Sequence, residues 1–218
     1  MFFDLEKAYD TTWKYGILRD LLGARLRGRL SNFIGNFLKD RRFRVRVGSC
    51  LSDLYNQEMG VPQGAILSVT LFILKINSII NCLPAGIRGS LYVDDFCICF
   101  RSKSPIAVER QIQRCLNSIQ TWADENGFQF SKSKTVCMHF SRNQSFNPDP
   151  SLTLYGAPLP VVSEYKFLGL IFDNKLTFNQ HIRYLRDRCF KALDLLRVVT
   201  HRDWGADCMT LLKLYRSH

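Results

Sequence analysis

Leu91-Tyr92-Val93-Asp94-Asp95-Phe96-Cys97-Ile98 is the stretch whose reading decides the fold. Two apolar runs flank a pair of acids. The segment therefore reads as a β-hairpin, with strands over 90–93 and 96–100 and Asp94-Asp95 at the tip. Taken alone, an acid pair in a turn is ordinary, because Asp is a favoured turn residue. The flanks change the reading. They are apolar enough to lie deep in a sheet, where neighbouring carboxylates repel each other and lose hydration. A divalent cation, or two, resolves that conflict, and Mg²⁺ takes one or two carboxylates together with phosphate oxygens and water. Asp4 ends another short apolar run, Phe2-Phe3. If it converges on Asp94 and Asp95, the acids suit two-metal phosphoryl transfer.

Around this hairpin the chain reads as a dense mixture of helices and strands. The stretch 13–38 is mostly helical, with Gly23, Gly28 and Gly35 as breaks. Phe43-Arg44-Val45-Arg46-Val47 alternates apolar and basic residues, the period of a strand with one buried and one wet face. The turn Val61-Pro62-Gln63-Gly64 leads into a helix over 65–81. Ser104-Pro105 opens a helix whose apolar stripe is Ile112, Leu116, Ile119 and Trp122 or Ala123, with Gly127 as its cap. A strand is expected over 135–140, a second β region over 152–162 and 167–172, and helices over 178–199 and 206–215. Asn143 to Pro150, rich in Asn, Ser and Pro, is the expected joint.

Composition narrows the class. Of 218 residues, 46% are apolar and 22% charged, which excludes intrinsic disorder. No apolar run is long enough to span a bilayer, and the N-terminus lacks the pattern of a signal peptide. An intracellular protein of the nucleus or cytoplasm is expected, with no membrane partner. The eight cysteines contain no Cys-x-x-Cys pair and read as reduced thiols. Lys and Arg total 30 against 19 Asp and Glu, a net charge of +11. Ten of these basic residues lie between Lys14 and Val47, opposed only by Asp20 and Asp40, so that segment supplies +8. Arg41, Arg42, Arg44 and Arg46 are candidate phosphate contacts, because guanidinium groups bind phosphate bidentately and without sequence preference. The interleaved Phe33, Phe37 and Phe43 read as core. Arg183, Arg186, Arg188 and Lys191 form a second basic cluster in the expected helix 178–199.

Five segments together resemble reverse transcriptases. Phe3-Asp4-Leu5-Glu6-Lys7-Ala8-Tyr9-Asp10 is similar to the first palm motif of that family, Gly60 to Ser68 to the second and Tyr92-Val93-Asp94-Asp95 to the third. Gly127-Phe128 through Thr135 is similar to the next motif, and Lys166-Phe167-Leu168-Gly169-Leu170 to the primer grip. Order and spacing also match. Within the family the chain most resembles retrotransposons without long terminal repeats, of the jockey-like kind. Val69 follows Ser68 where many relatives carry Pro.

The resemblance implies an α+β fold: a polymerase palm, an antiparallel sheet backed by helices on one face, followed by a β-hairpin primer grip and a helical partial thumb. The implied domains are 1–145, 146–175 and 176–218. The implied activity is RNA-directed DNA synthesis, in which a primer 3′-hydroxyl attacks the α-phosphate of a dNTP. The implied partners are an RNA template, a DNA primer and dNTP. Two Mg²⁺ ions, replaceable by Mn²⁺, are implied on Asp4, Asp94, Asp95 and the carbonyl of Leu5. Lys134 matches the family's proton donor to pyrophosphate, with Lys132 as a neighbouring competitor. Tyr9 is implied to read the sugar, Gln63 and Gly64 to meet nucleotide and template, and Phe167, Leu168 and Gly169 to lie under the primer end. The family's fingers lie upstream of its first palm motif, so a fragment without them is expected. Two other readings stand beside this one: a non-catalytic nucleic-acid-binding remnant, and another palm polymerase such as a group II intron maturase or an RNA-dependent RNA polymerase. Tyr9 and the Tyr92–Asp95 motif favour deoxynucleotide synthesis.

Overall fold

The computed structural model describes residues 1–141, 149–200 and 205–216. Of the expected joint, residues 142–148 lie outside the described residues. Helices mix with small antiparallel sheets. The chain divides into two compact units, Met1–His139 with Gln144–Val162, and Phe140–Asn143 with Ser163–His218. This division falls within the stretch 146–175, because Leu152, Leu154 and Leu159 are buried in the core of the first unit.

In the first unit, β1 (Phe2–Phe3) leads through a short α1 (Ala8–Thr11) to α2 (Lys14–Gly23) and α3 (Arg29–Leu38). Gly23 and Gly28 bound the break between these helices, while Gly35 stays inside α3. Four two-residue strands follow: β2 (Arg42–Phe43), β3 (Arg46–Val47), β4 (Cys50–Leu51) and β5 (Tyr55–Asn56). The aromatic residues expected in the core are not all there. Phe33 and Phe43 are exposed, and only Phe37 packs against the core. The alternating strand stands off the body, so both its faces are wet.

The helix expected over 65–81 is α4 (Ile66–Ile76), which tightens into a 3₁₀ segment, Asn77–Cys82. Next come β6 (Arg88–Tyr92) and β7 (Asp95–Cys99). The turn between them is Val93-Asp94, so Asp95 opens β7 instead of sitting at the tip. Sheet order is β1-β7-β6. The central strand β7 buries Phe96 and Ile98, whereas the edge strand β6 is mostly exposed. The expectation that both flanks lie deep therefore holds for one strand alone.

Behind the sheet, α5 (Pro105–Asn126) buries the expected stripe Ile112, Leu116, Ile119, Trp122 and Ala123. The Ser104 hydroxyl accepts from the Ala107 N–H at the helix start, and Gly127 ends the helix at φ 74°. The strand expected over 135–140 is reduced to isolated bridges, Phe2↔Val136 and Cys137↔Val161. A small hairpin, β8 (Thr153–Leu154) and β9 (Ala157–Pro158), completes the unit. Its core joins Phe3 and Phe96 from the sheet to Phe72 and Ile76 from α4 and to Leu116 and Ile119 from α5. Each such buried side chain contributes about 1.5–3 kcal/mol.

In the second unit, β10 (Glu164–Phe167) and β11 (Leu170–Asp173) form a hairpin. Its turn, Leu168-Gly169, has positive φ at both residues, as the primed two-residue turns require. Asp173 then organises the chain: its carboxylate accepts from the backbone N–H groups of Lys175, Thr177 and Phe178 and from the Thr177 hydroxyl. These bonds lead into α6 (Asn179–Val199), which α7 (Cys208–Arg216) follows. All eight cysteines are free thiols.

Candidate functional site

Strand register brings Asp4 and Asp95 together. Phe3 pairs with Phe96 across β1 and β7, and Asp4 and Asp95 are the next residues along each strand. In an antiparallel pair these positions face one another. Alternation puts them on the face opposite Phe3 and Phe96, whose rings meet at 5.0 Å in the core. Asp95 is exposed, yet partial loss of hydration at the strand start pushes its carboxyl above its usual range, and the charges of Asp94 and Asp4 push it further.

Asp94 sits in the turn, exposed, beside a backbone outlier. Val93 has φ 56°. The comparable turn at Gly48 has φ 60° and uses glycine. A β-branched residue in this region costs about 1–3 kcal/mol, and such strain clusters at functional sites.

The segment 131–135 clamps the backbone of Asp4. The Ser131 N–H donates to the Asp4 carbonyl at 2.8 Å, and the Asp4 N–H donates to the Thr135 hydroxyl at 3.4 Å. This clamp carries Lys134 to the acids, with Nζ 3.6 Å from Asp4 Oδ2. Its competitor Lys132 turns away and lies over the Tyr155 ring at 5.8 Å. Leu5 is buried and bridged to Phe130.

Tyr9 is half-buried, stacked on Phe72 with ring centroids 4.6 Å apart. Burial raises its hydroxyl pKa, and the charge of Asp94 adds to the shift. The turn before α4 is tied to the same backbone. The Gly60 N–H donates to the Thr12 carbonyl at 2.8 Å and the Val61 N–H to the Tyr9 carbonyl at 2.9 Å. A Cβ on Gly60 would lie 2.7 Å from the Asp10 carbonyl oxygen, so only glycine allows this approach. Gln63 Nε2 donates to Asp10 Oδ1 at 2.8 Å. Gly64, at φ 86°, has open space around it.

The remaining candidates lie elsewhere. Arg42, Arg44 and Arg46 are exposed on the β2–β5 segment, and the Arg41 guanidinium lies over the Phe37 ring at 5.8 Å. Phe167, Leu168 and Gly169 belong to the second unit and form the end of β10 and its turn. In that unit Lys166 Nζ donates to the Tyr184 hydroxyl at 3.0 Å. That bond, with the charges of Lys166 and Arg188, lowers the Tyr184 pKa.

The motif that begins at Gly60 is legible in the sequence, but the close backbone approach that requires glycine there is not. Lys75 has no role in the sequence reading; it is fully buried, with Nζ 2.9 Å from Asp20 Oδ2 and 2.8 Å from Asn126 Oδ1. Its signal was present, since Lys75 is the sole charged residue between Ile66 and Ile80.

Among the described residues, no three His, Cys, Asp or Glu side chains form a ready metal cage. The donor chemistry nevertheless fits Mg²⁺. Asp4 and Asp95, both hard carboxylates, hold facing register positions on adjacent strands, and the charge of Asp4 raises the Asp95 pKa, a repulsion that a cation would relieve. Mg²⁺ takes one or two carboxylates and completes its shell with water and phosphate.

Residues 1–172 match the model of the reverse transcriptase (RNA-dependent DNA polymerase) family. The chain belongs to this family. It is 28% identical over 191 residues to the RNA-directed DNA polymerase from mobile element jockey of Drosophila funebris, covering 85% of this chain and 20% of that protein. It is 29% identical over 196 residues to the probable RNA-directed DNA polymerase from transposon X-element of Drosophila melanogaster, 86% of this chain and 21% of that protein. A retrovirus-related Pol polyprotein from a type-1 retrotransposable element R1 of Nasonia vitripennis is 27% identical over 152 residues, 67% of this chain and 37% of that protein. The chain thus spans about a fifth of the jockey and X-element polymerases. Among its described residues no helix is long and apolar enough to cross a membrane.

Proposed function

We propose that this chain is the palm and partial thumb of an RNA-directed DNA polymerase from a non-LTR retrotransposon. The facing of Asp4 and Asp95 across β1 and β7, with Lys134 3.6 Å from Asp4, carries the reading. Asp4, Asp94, Asp95 and the Leu5 carbonyl are the residues that would hold Mg²⁺ or Mn²⁺. A metal bound there would supply activation of the attacking primer oxygen and stabilisation of the leaving one.

The chain's own residues do the rest by positioning and charge placement. Strand register aims the Asp4 and Asp95 carboxylates at one side of the sheet. Lys134, an exposed ammonium beside Asp4, supplies a proton to departing pyrophosphate. Tyr9, braced by Phe72, presents a rigid aromatic surface that excludes a 2′-hydroxyl and selects dNTP. Gln63, tethered to Asp10, and Gly64, uncrowded, offer polar and open surface to the nucleotide and the template base. Phe167, Leu168 and Gly169 form the primer grip. Arg41, Arg42, Arg44 and Arg46 supply salt-sensitive phosphate contacts.

The test is primer extension on an RNA template with Mg²⁺, comparing this chain with an Asp94→Asn, Asp95→Asn double variant. Extension is expected from the parent and not from the variant. No extension by either, with salt-sensitive nucleic-acid binding by both, would establish the non-catalytic reading instead.

A further inference from the structure

Residues 41–57 double back on themselves as two short antiparallel pairings in line, together a two-stranded ribbon. Arg42↔Asn56 and Phe43↔Tyr55 pair near its base, and Arg46↔Leu51 and Val47↔Cys50 near its tip. Between these pairs, residues 44 and 45 run against residues 52, 53 and 54, so one strand carries one extra residue. That is a β-bulge, which bends a ribbon and tightens its twist. The Ser52 N–H donates to the Val45 carbonyl at 2.9 Å across the bend. Gly48, at φ 60°, makes the tight tip. From Arg42 to Asn56 every residue except Ser52 is exposed. The base is tied down where Lys14 Nζ donates to the Gln57 carbonyl at 2.6 Å.

A lone two-stranded ribbon is marginal in water, and this one has two unlike faces. Alternation puts Arg42, Arg44 and Arg46 on one face over about 13 Å. Phe43, Val45 and Val47 take the other, with the Phe43 and Tyr55 rings 5.9 Å apart. Across residues 41–57 four arginines are opposed by one acid, Asp53.

We propose that the ribbon is an arm that enters the major groove of a B-form DNA duplex, arginine face inward. The proposal rests on the nucleic-acid reading above and names the form of nucleic acid the arm takes. A basic ribbon calls for a polyanion. The major groove of B-form DNA admits a two-stranded ribbon, and arginine bonds guanine edges and phosphates there. The A-form major groove of RNA is too deep and narrow for side chains to read. A single-strand platform would need aromatic rings and cations on one face; here they lie on opposite faces.

Fluorescence anisotropy of the full chain tests this against a DNA duplex, an RNA duplex, an RNA–DNA hybrid and single strands. The variant is Arg42→Ser, Arg44→Ser, Arg46→Ser, beside a control with the same charge loss on exposed residues, Arg101→Ser, Arg110→Ser, Arg114→Ser. Circular dichroism checks both folds, and a triple Arg→Lys variant of the ribbon keeps the charge. The ribbon Ser variant is expected to lose about tenfold or more on the DNA duplex, with a salt slope reduced by about 2 to 3. Its loss on the hybrid is expected to be at least about threefold smaller than on the DNA duplex, the control should lose less than about threefold on every probe, and the Lys variant should retain most of the duplex affinity. Equal loss on all probes, a larger loss on single strands or hybrid, or no loss overturns the proposal. A parent that binds the hybrid but not the DNA duplex overturns the arm and leaves the polymerase reading standing. A parent that binds no nucleic acid overturns both.

Discussion

Asp95 sits where ionisation is opposed. Partial desolvation and the charges of Asp94 and Asp4 hold its pKa above the ordinary 3.8. The native state therefore keeps this proton at pH values where the unfolded chain has lost it. The group's contribution to stability is full below 3.8 and is lost as pH rises through the folded value. Asp95→Asn is thus expected to raise the melting temperature near neutral pH, with the gain vanishing toward about pH 3. Thermal melts across pH check this, and equal melting temperatures at neutral pH would refute it. Asp4, Asp94 and Asp95 were legible in the sequence, because acids beside apolar strand residues are conspicuous. The choice between Lys132 and Lys134 was not. Both lie two residues apart in one polar run, and only the clamp by Ser131 and Thr135 on Asp4 decides which reaches the acids.

At the scale of elements, α2 and α4 meet around a buried charge. Lys75 reaches Asp20 beneath the Trp13 ring, 5.8 Å away. Gly16 leaves the room for it. A Cβ there would lie 2.6 Å from Trp13 Cε3 and 3.0 Å from Lys75 Nζ. Gly16→Ala is expected to destabilise the protein by about 1–3 kcal/mol through overpacking. Gly23→Ala, in the same helix with nothing within 4 Å, is expected to be neutral or to stabilise by up to about 1 kcal/mol. Urea denaturation midpoints compare the two. Helix α5 was readable almost to the residue, since its cap, its stripe and its closing glycine are local signals. The ribbon was only half readable. Its alternation announced a strand, but alternation cannot tell a face covered by protein from one left in solvent, and Phe43 was misplaced for that reason.

Across the whole molecule, burial is uneven. Helix α5 sinks seven residues into the first unit, whereas α6, nearly as long, has no buried residue. Local opening follows buried contact. Amide hydrogen exchange is therefore expected to show strong protection over residues 105–126 and weak protection over 179–199. Equal protection of the two helices would contradict this. The sequence by itself determined the family, the order of its motifs, the candidate acids and the location of the charge, because these depend on residue type and on spacing along the chain. The tertiary structure alone decided that Asp95 opens a strand and that Asp4 faces it. It also decided that Lys134 is the lysine beside them, that the basic strand stands free as a ribbon and that a lysine is buried between α2 and α4. Each of these depends on pairing between residues distant in sequence, where register and the space left by neighbours set the outcome.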